Sequence, residues 1–146
     1  MKWKNEAMER LRRYEAMRVA SRNIPKEIDR LKEEALRMRR ADPSIVPVRG
    51  SGLPCRDEAL LNNIAKRQEL EWSLKQVKSW ITNTDRGLEA LSEDERLVLR
   101  RLYLRPEKNA LDRLCTELGM EQSTVYRKRD QALERFTYAM YGFEET

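Results

Sequence analysis

Two apolar stripes with alternating spacings of three and four residues set the tightest limit on what this chain can fold into. From Tyr14 onward the apolar or small positions are Tyr14, Met17, Ser21, Ile24, Ile28, Leu31, Ala35 and Met38, a heptad stripe with one polar slot at Ser21. Leu70, Leu74, Val77, Ile81, Thr84, Leu88 and Leu91 repeat the alternation, and Leu60 and Ile64 extend that face upstream. Both stripes read as core. Two such helices joined by a loop either fold back antiparallel or pair between chains as a dimer. Trp72 and Trp80 lie off the strict seam, where they widen it or meet a partner.

Punctuation divides the stripes. Pro25 interrupts the first, and because proline is tolerated in a first helical turn but costly inside a helix, Asn23 or Ile24 is expected to act as a fresh N-cap. Residues 4–40 are then two helices or one sharply kinked helix. Pro43, Pro47, Gly50, Gly52 and Pro54 mark the connecting loop. Its Gly50-Ser51-Gly52 lacks the Lys-Ser/Thr that a phosphate loop needs. The expected first domain is thus residues 1–91, a coiled-coil-like helical hairpin for dimerisation or interaction, with its loop at 41–57.

Residues 92–146 form the expected second domain. Ser92 and Glu95 make a capping box, opening an amphipathic helix through Leu97, Val98, Leu99, Leu102, Tyr103 and Leu104. Arg105-Pro106 stops it. A short helix over about residues 109–118 places Leu111, Leu114, Cys115 and Leu118 on one face, and Gly119 supplies a left-handed C-terminal position. A longer helix starts near Glu121 or Gln122, turns Val125, Leu133, Phe136 and Met140 inward, and ends at Gly142. Short helix, glycine turn, second helix is the helix-turn-helix pattern. The expected fold is therefore all-α: a long-helix hairpin followed by a helix-turn-helix bundle.

The outer face of the last helix carries Gln122, Ser123, Thr124, Tyr126, Arg127 and Asp130. Polar side chains at a helix N-terminus can bond base edges, while amides and cations hold phosphates. Gln122, Ser123 and Arg127 are the candidates for base or groove contacts, and Lys128 and Arg129 for the DNA backbone.

Charge alone does not find this element. The net charge is +5, but residues 1–49 hold 14 Lys/Arg against 8 Asp/Glu, residues 50–91 six of each, and residues 92–146 ten against eleven. The basic excess lies in the N-terminal third, densest at Arg37, Arg39 and Arg40 and around Arg10, Arg12 and Arg13. It is either a solvated helix face or a site for counterion release from a phosphate backbone.

Other classes fall away on composition. There is no histidine, and Cys55 and Cys115 stand apart without metal-ligand spacing, which removes zinc fingers, histidine triads and disulfide scaffolds. No cofactor or metal is expected. Charged residues at 38% and aromatics at 7% suit long helices rather than a β-sandwich. No apolar run approaches the ~20 residues of a membrane span, and no apolar leader follows Met1, so a cytoplasmic location is expected. Carboxylates are scattered along helix faces with no evident general base, which argues against an enzyme.

The run from Leu91 through Ser92-Glu93-Asp94-Glu95 to Tyr103, followed by Leu114 to Leu118, Gly119, Ser123-Thr124-Val125-Tyr126 and Ala132-Leu133, resembles the region-four helix-turn-helix of bacterial sigma factors. More closely, Val125-Tyr126-Arg127-Lys128-Arg129-Asp130-Gln131-Ala132-Leu133, then Met140-Tyr141-Gly142, resembles the ArpU/RinA-type phage regulators of Gram-positive bacteria and their prophages. The resemblance implies a sequence-specific regulator of late phage genes that binds double-stranded DNA and performs no catalysis. A homodimer and contact with host RNA polymerase are the expected partnerships. Two other readings stay open: a small-terminase-like DNA-packaging protein, and an anti-sigma or polymerase adaptor without specific DNA binding.

Overall fold

A computed structural model of the chain describes residues 2–40 and 56–142. Every regular element among them is helical: α1 (Lys2–Arg40), α2 (Arg56–Glu89), α3 (Glu93–Leu99), a π-helical turn (Arg100–Leu104), α4 (Ala110–Leu118) and α5 (Gln122–Tyr141). The all-α expectation holds. The expected connector falls on residues 41–55, outside the described residues, while Arg56 and Asp57 already belong to α2. None of the described helices is long and apolar enough to cross a membrane.

Two compact units make up the chain: Met1–Arg18 with Ser79–Thr146, and Val19–Lys78. This differs from a division at residues 91 and 92. Ala7 and Leu11 of α1 are buried in one core with Leu91, Leu99, Tyr103, Ala132, Leu133 and Phe136, and Trp3, Met8 and Leu88 cover its edge. The first turns of α1 and the last turns of α2 therefore belong with the C-terminal bundle. Ala7, Met8 and Leu11 precede the first heptad stripe, so that stripe alone assigns them no partner.

In the second unit the seam is as the spacing predicts. Ile28, Leu31 and Ala35 are buried, and Leu60, Ile64, Leu70, Leu74 and Val77 are half-buried. Asn63 is buried beside them, its Nδ2 donating to the Leu31 carbonyl at 2.9 Å while its Oδ1 accepts from Arg67 Nε at 2.9 Å. The two long helices thus meet within one chain.

Pro25 does not behave as expected. It lies inside α1, which runs from Lys2 to Arg40 without a fresh N-cap. A proline inside a helix costs about 3 kcal/mol. Burial of Ile28 and Leu31 just beyond it offsets that, since a fully buried side chain of this size contributes roughly 1.5–3 kcal/mol. Tertiary packing overrides the local breaker.

Candidate nucleic-acid interface

The capping box forms as the sequence predicts: the Glu95 N–H donates to Ser92 Oγ at 3.3 Å and the Ser92 N–H to Glu95 Oε1 at 3.1 Å. Glu95 does more than cap. Its Oε1 also accepts from Arg135 Nη1 of α5 at 2.8 Å, and its Oε2 is buried without a donor among the described residues. Burial on its own would raise the Glu95 carboxyl. The bonds from Ser92 and the Arg135 cation outweigh it and hold the group below its ordinary range.

One side chain from each of three helices closes the small core beneath the turn. Val98 of α3, Leu114 of α4 and Val125 of α5 are fully buried together, ringed by Leu97, Leu102, Leu111, Cys115, Leu118 and Met120. Gly119 ends α4 at φ 62°, ψ 36°. The N–H groups of Gly119 and Met120 both reach the Cys115 carbonyl, the latter at 3.1 Å, while Met120 packs back on the core. Glycine is favoured there by its positive φ and not by crowding, since nothing lies within 4 Å of where a Cβ would stand.

Glu121 then enters α5 in extended geometry (φ −73°, ψ 158°), and its carbonyl accepts from the Thr124 and Val125 N–H groups at 3.0 Å each. Its side chain does not cap the helix, and no acidic residue stands in the first turn. The leading N–H groups of α5 are left without a side-chain acceptor.

Gln122, Ser123, Thr124, Tyr126 and Arg127 are all exposed at this end, with buried Val125 fixing the helix from beneath. Ser123 and Arg127 are four residues apart and share a face. Arg127 has no acidic partner among the described residues. Lys128 and Arg129, expected to reach a phosphate backbone, are placed differently. Their side chains are only about a quarter exposed. Lys128 Nζ lies 3.7 Å from Asp94 Oδ2, and Arg129 lies 2.9 Å from Asp130 Oδ1 with its guanidinium 4.8 Å from the Tyr126 ring centre. At about 100° per residue they fall on the inward side of α5, between Val125 and Ala132. They hold the helix in place and stand back from its outer face.

Asp130 is drawn inward as well. Lys4 Nζ of α1 approaches its Oδ1 at 2.7 Å. Burial alone would raise this carboxyl, but the bonds from Lys4 and Arg129 win and lower it. Neither the Lys4–Asp130 pair nor the Glu95–Arg135 pair carries a sequence signal, because both join residues far apart in the chain.

Among the described residues no group of three His, Cys, Asp or Glu side chains could hold a metal ion. Cys115 is a free thiol at the edge of the small core. Set against protein-family models, curated proteins and solved structures, the chain matches none.

Proposed function

We propose that this chain is a sequence-specific DNA-binding transcriptional regulator, of the kind that acts on late phage or prophage genes, with α5 as its recognition helix in the major groove. One observation carries the reading. The N-terminal turns of α5 present Gln122, Ser123, Thr124, Tyr126 and Arg127 to solvent around an uncapped helix end, on a glycine-turned helix pair whose core is fully buried. A helix so placed offers bidentate guanidinium chemistry for guanine and amide chemistry for adenine, with backbone N–H groups for a phosphate. Catalysis has no part in this reading. The protein works in the cytoplasm of a bacterial host.

The test selects fragmented phage and host DNA on the purified protein at about 150 mM salt, close to physiological ionic strength, and sequences what is retained. Enrichment of one or a few upstream regions, lost in Arg127→Ala, is the expected result. That variant should lose about 1–3 kcal/mol on the preferred site and relax its sequence preference. Uniform recovery of all fragments would sink the proposal.

A homodimer fits the same reading. It would bring two α5 helices onto half-sites about 34–36 Å apart, or a multiple of that, and a bound site without any repeat would contradict it. A second reading, an adaptor for RNA polymerase, draws on the side chains that the Val19–Lys78 unit leaves in solvent: Trp72 is 64% exposed and Leu61 66%. Copurification with polymerase that is lost in Trp72→Ala would support it.

A further inference from the structure

Away from the α5 face, the unit built from the ends of α1 and α2 and the C-terminal helices holds a cleft of about 280 Å³. Arg18 of α1 and Arg100 and Arg105 at the two ends of the π-helical turn line it, with Glu15 as the acid and Leu88 and Leu104 as apolar walls. The turn itself brings two of these arginines together. The Arg105 N–H donates to the Arg100 carbonyl at 2.8 Å, stacking residues that stand about 140° apart in an α-helix. π-Helical turns of this kind are frequent at functional sites.

Cations outnumber acids in the cleft. Glu15 Oε1 takes Arg105 Nε at 3.1 Å, which leaves the terminal nitrogens of that guanidinium for another acceptor. Arg100 is exposed and has no acidic partner among the described residues. The Arg18 guanidinium lies 5.7 Å from the Tyr14 ring centre, and the Tyr14 hydroxyl donates to Asp85 behind it. Arg18 is thus already engaged, and Arg100 and Arg105 against Glu15 still leave a positive excess. We propose that this cleft binds a small phosphorylated ligand, about the size of a diphosphate or sugar phosphate, through Arg100 and Arg105.

Guanidinium groups meet phosphoryl oxygens in planar, bidentate pairs, and Leu88 and Leu104 supply apolar walls beside them. The volume lies just under the ~300–1,000 Å³ of ordinary small-molecule sites, so the ligand is compact. This site does not depend on the DNA-binding reading, and its test needs no DNA.

The experiment is calorimetric titration of the full chain with inorganic pyrophosphate, beside Arg100→Gln/Arg105→Gln and the charge-matched control Lys75→Gln/Lys78→Gln in the other unit. Saturable one-to-one binding is expected, weakened at least about tenfold by the cleft variant, as loss of charge-assisted bonds implies, and unchanged by the control. Unliganded melting curves check folding. Arg100→Gln alone, at an exposed position, replaces the double variant where that melts early. A final arm adds DNA. Competition between pyrophosphate and DNA, with uniform loss on all sequences in the cleft variant, keeps the phosphate chemistry and assigns its source to the nucleic-acid backbone. Unchanged DNA affinity assigns it to a free ligand. Absence of saturable pyrophosphate binding, or equal loss in both double variants, overturns the proposal.

Discussion

Replacing Gly87 by alanine should destabilise the protein, although the same change in an exposed helix would stabilise it. Gly87 lies in α2 against α5. A Cβ built on it would stand 2.7 Å from Phe136 Cε2, 2.9 Å from Phe136 Cδ2 and 2.8 Å from Met140 Cγ. Met140 is half-buried and can turn aside, but the Phe136 ring is fully buried among Leu11, Leu99 and Leu133 and cannot. Overpacking of this kind costs about 1–3 kcal/mol, and the rigid ring places it toward the upper end. Alanine's helix propensity returns about 1 kcal/mol. The net expectation is a loss of roughly 1–2 kcal/mol, or a few degrees in Tm for a chain of this length. Urea unfolding followed by circular dichroism measures it, as a lower midpoint at unchanged slope. Gly87→Ala combined with Phe136→Leu should cost less than the two changes summed, because the smaller side chain relieves the clash. A stabilised Gly87→Ala protein would refute the close approach of α2 to α5.

Three further outcomes follow from the contacts described above. Glu95 and Asp130 have folded-state pKa values below their ordinary 4.5 and 3.8, so the stability they contribute is complete above those values and is lost as pH falls through the lower folded ones; urea midpoints should drop below pH 4.5, less steeply in Glu95→Gln. Asn63→Ala removes the bond to the Leu31 carbonyl and should cost about 1 kcal/mol, read as a lower urea midpoint; an unchanged midpoint would show that the bond contributes nothing. Lys128→Ala and Arg129→Ala should lower Tm while leaving the preferred DNA sequence intact, whereas Arg127→Ala should change the preference at unchanged Tm, as paired melting and binding curves would report.

Elements whose signal is local were legible in the sequence. The capping box at Ser92 and Glu95, the left-handed turn at Gly119 and the inward set Val125, Leu133 and Phe136 each follow from spacing within a few residues. The missed features depend on distant partners. Pro25 reads as a break until Ile28, Leu31 and Ala35 have a helix to bury against. Gly87 carries no signal of its own, and its need for a bare Cα appears only against Phe136. The π-helical turn has no signature in Arg100-Arg101-Leu102-Tyr103-Leu104, which scans as ordinary amphipathic helix; it appears once Leu99 and Tyr103 enter one core while Val98 enters the other.

The basic run Arg127-Lys128-Arg129 shows why composition and geometry part company at the candidate interface. As sequence it is three adjacent cations. In the fold, 100° per residue sends only Arg127 outward, and the other two meet Asp94 and Asp130, which Lys4 approaches in turn. A lysine or arginine already paired to a carboxylate either leaves that partner to meet a phosphate or carries a repelling charge toward it. Each option subtracts from the salt-dependent, sequence-independent part of DNA affinity, which scales with the number of phosphates neutralised. On the proposed reading, α5 therefore contributes discrimination through Gln122, Ser123 and Arg127 more than attraction. Attraction must come from a second copy of α5 or from cations elsewhere in the chain, and the balance of 14 Lys/Arg against 8 Asp/Glu in residues 1–49 places the larger reserve outside the recognition helix.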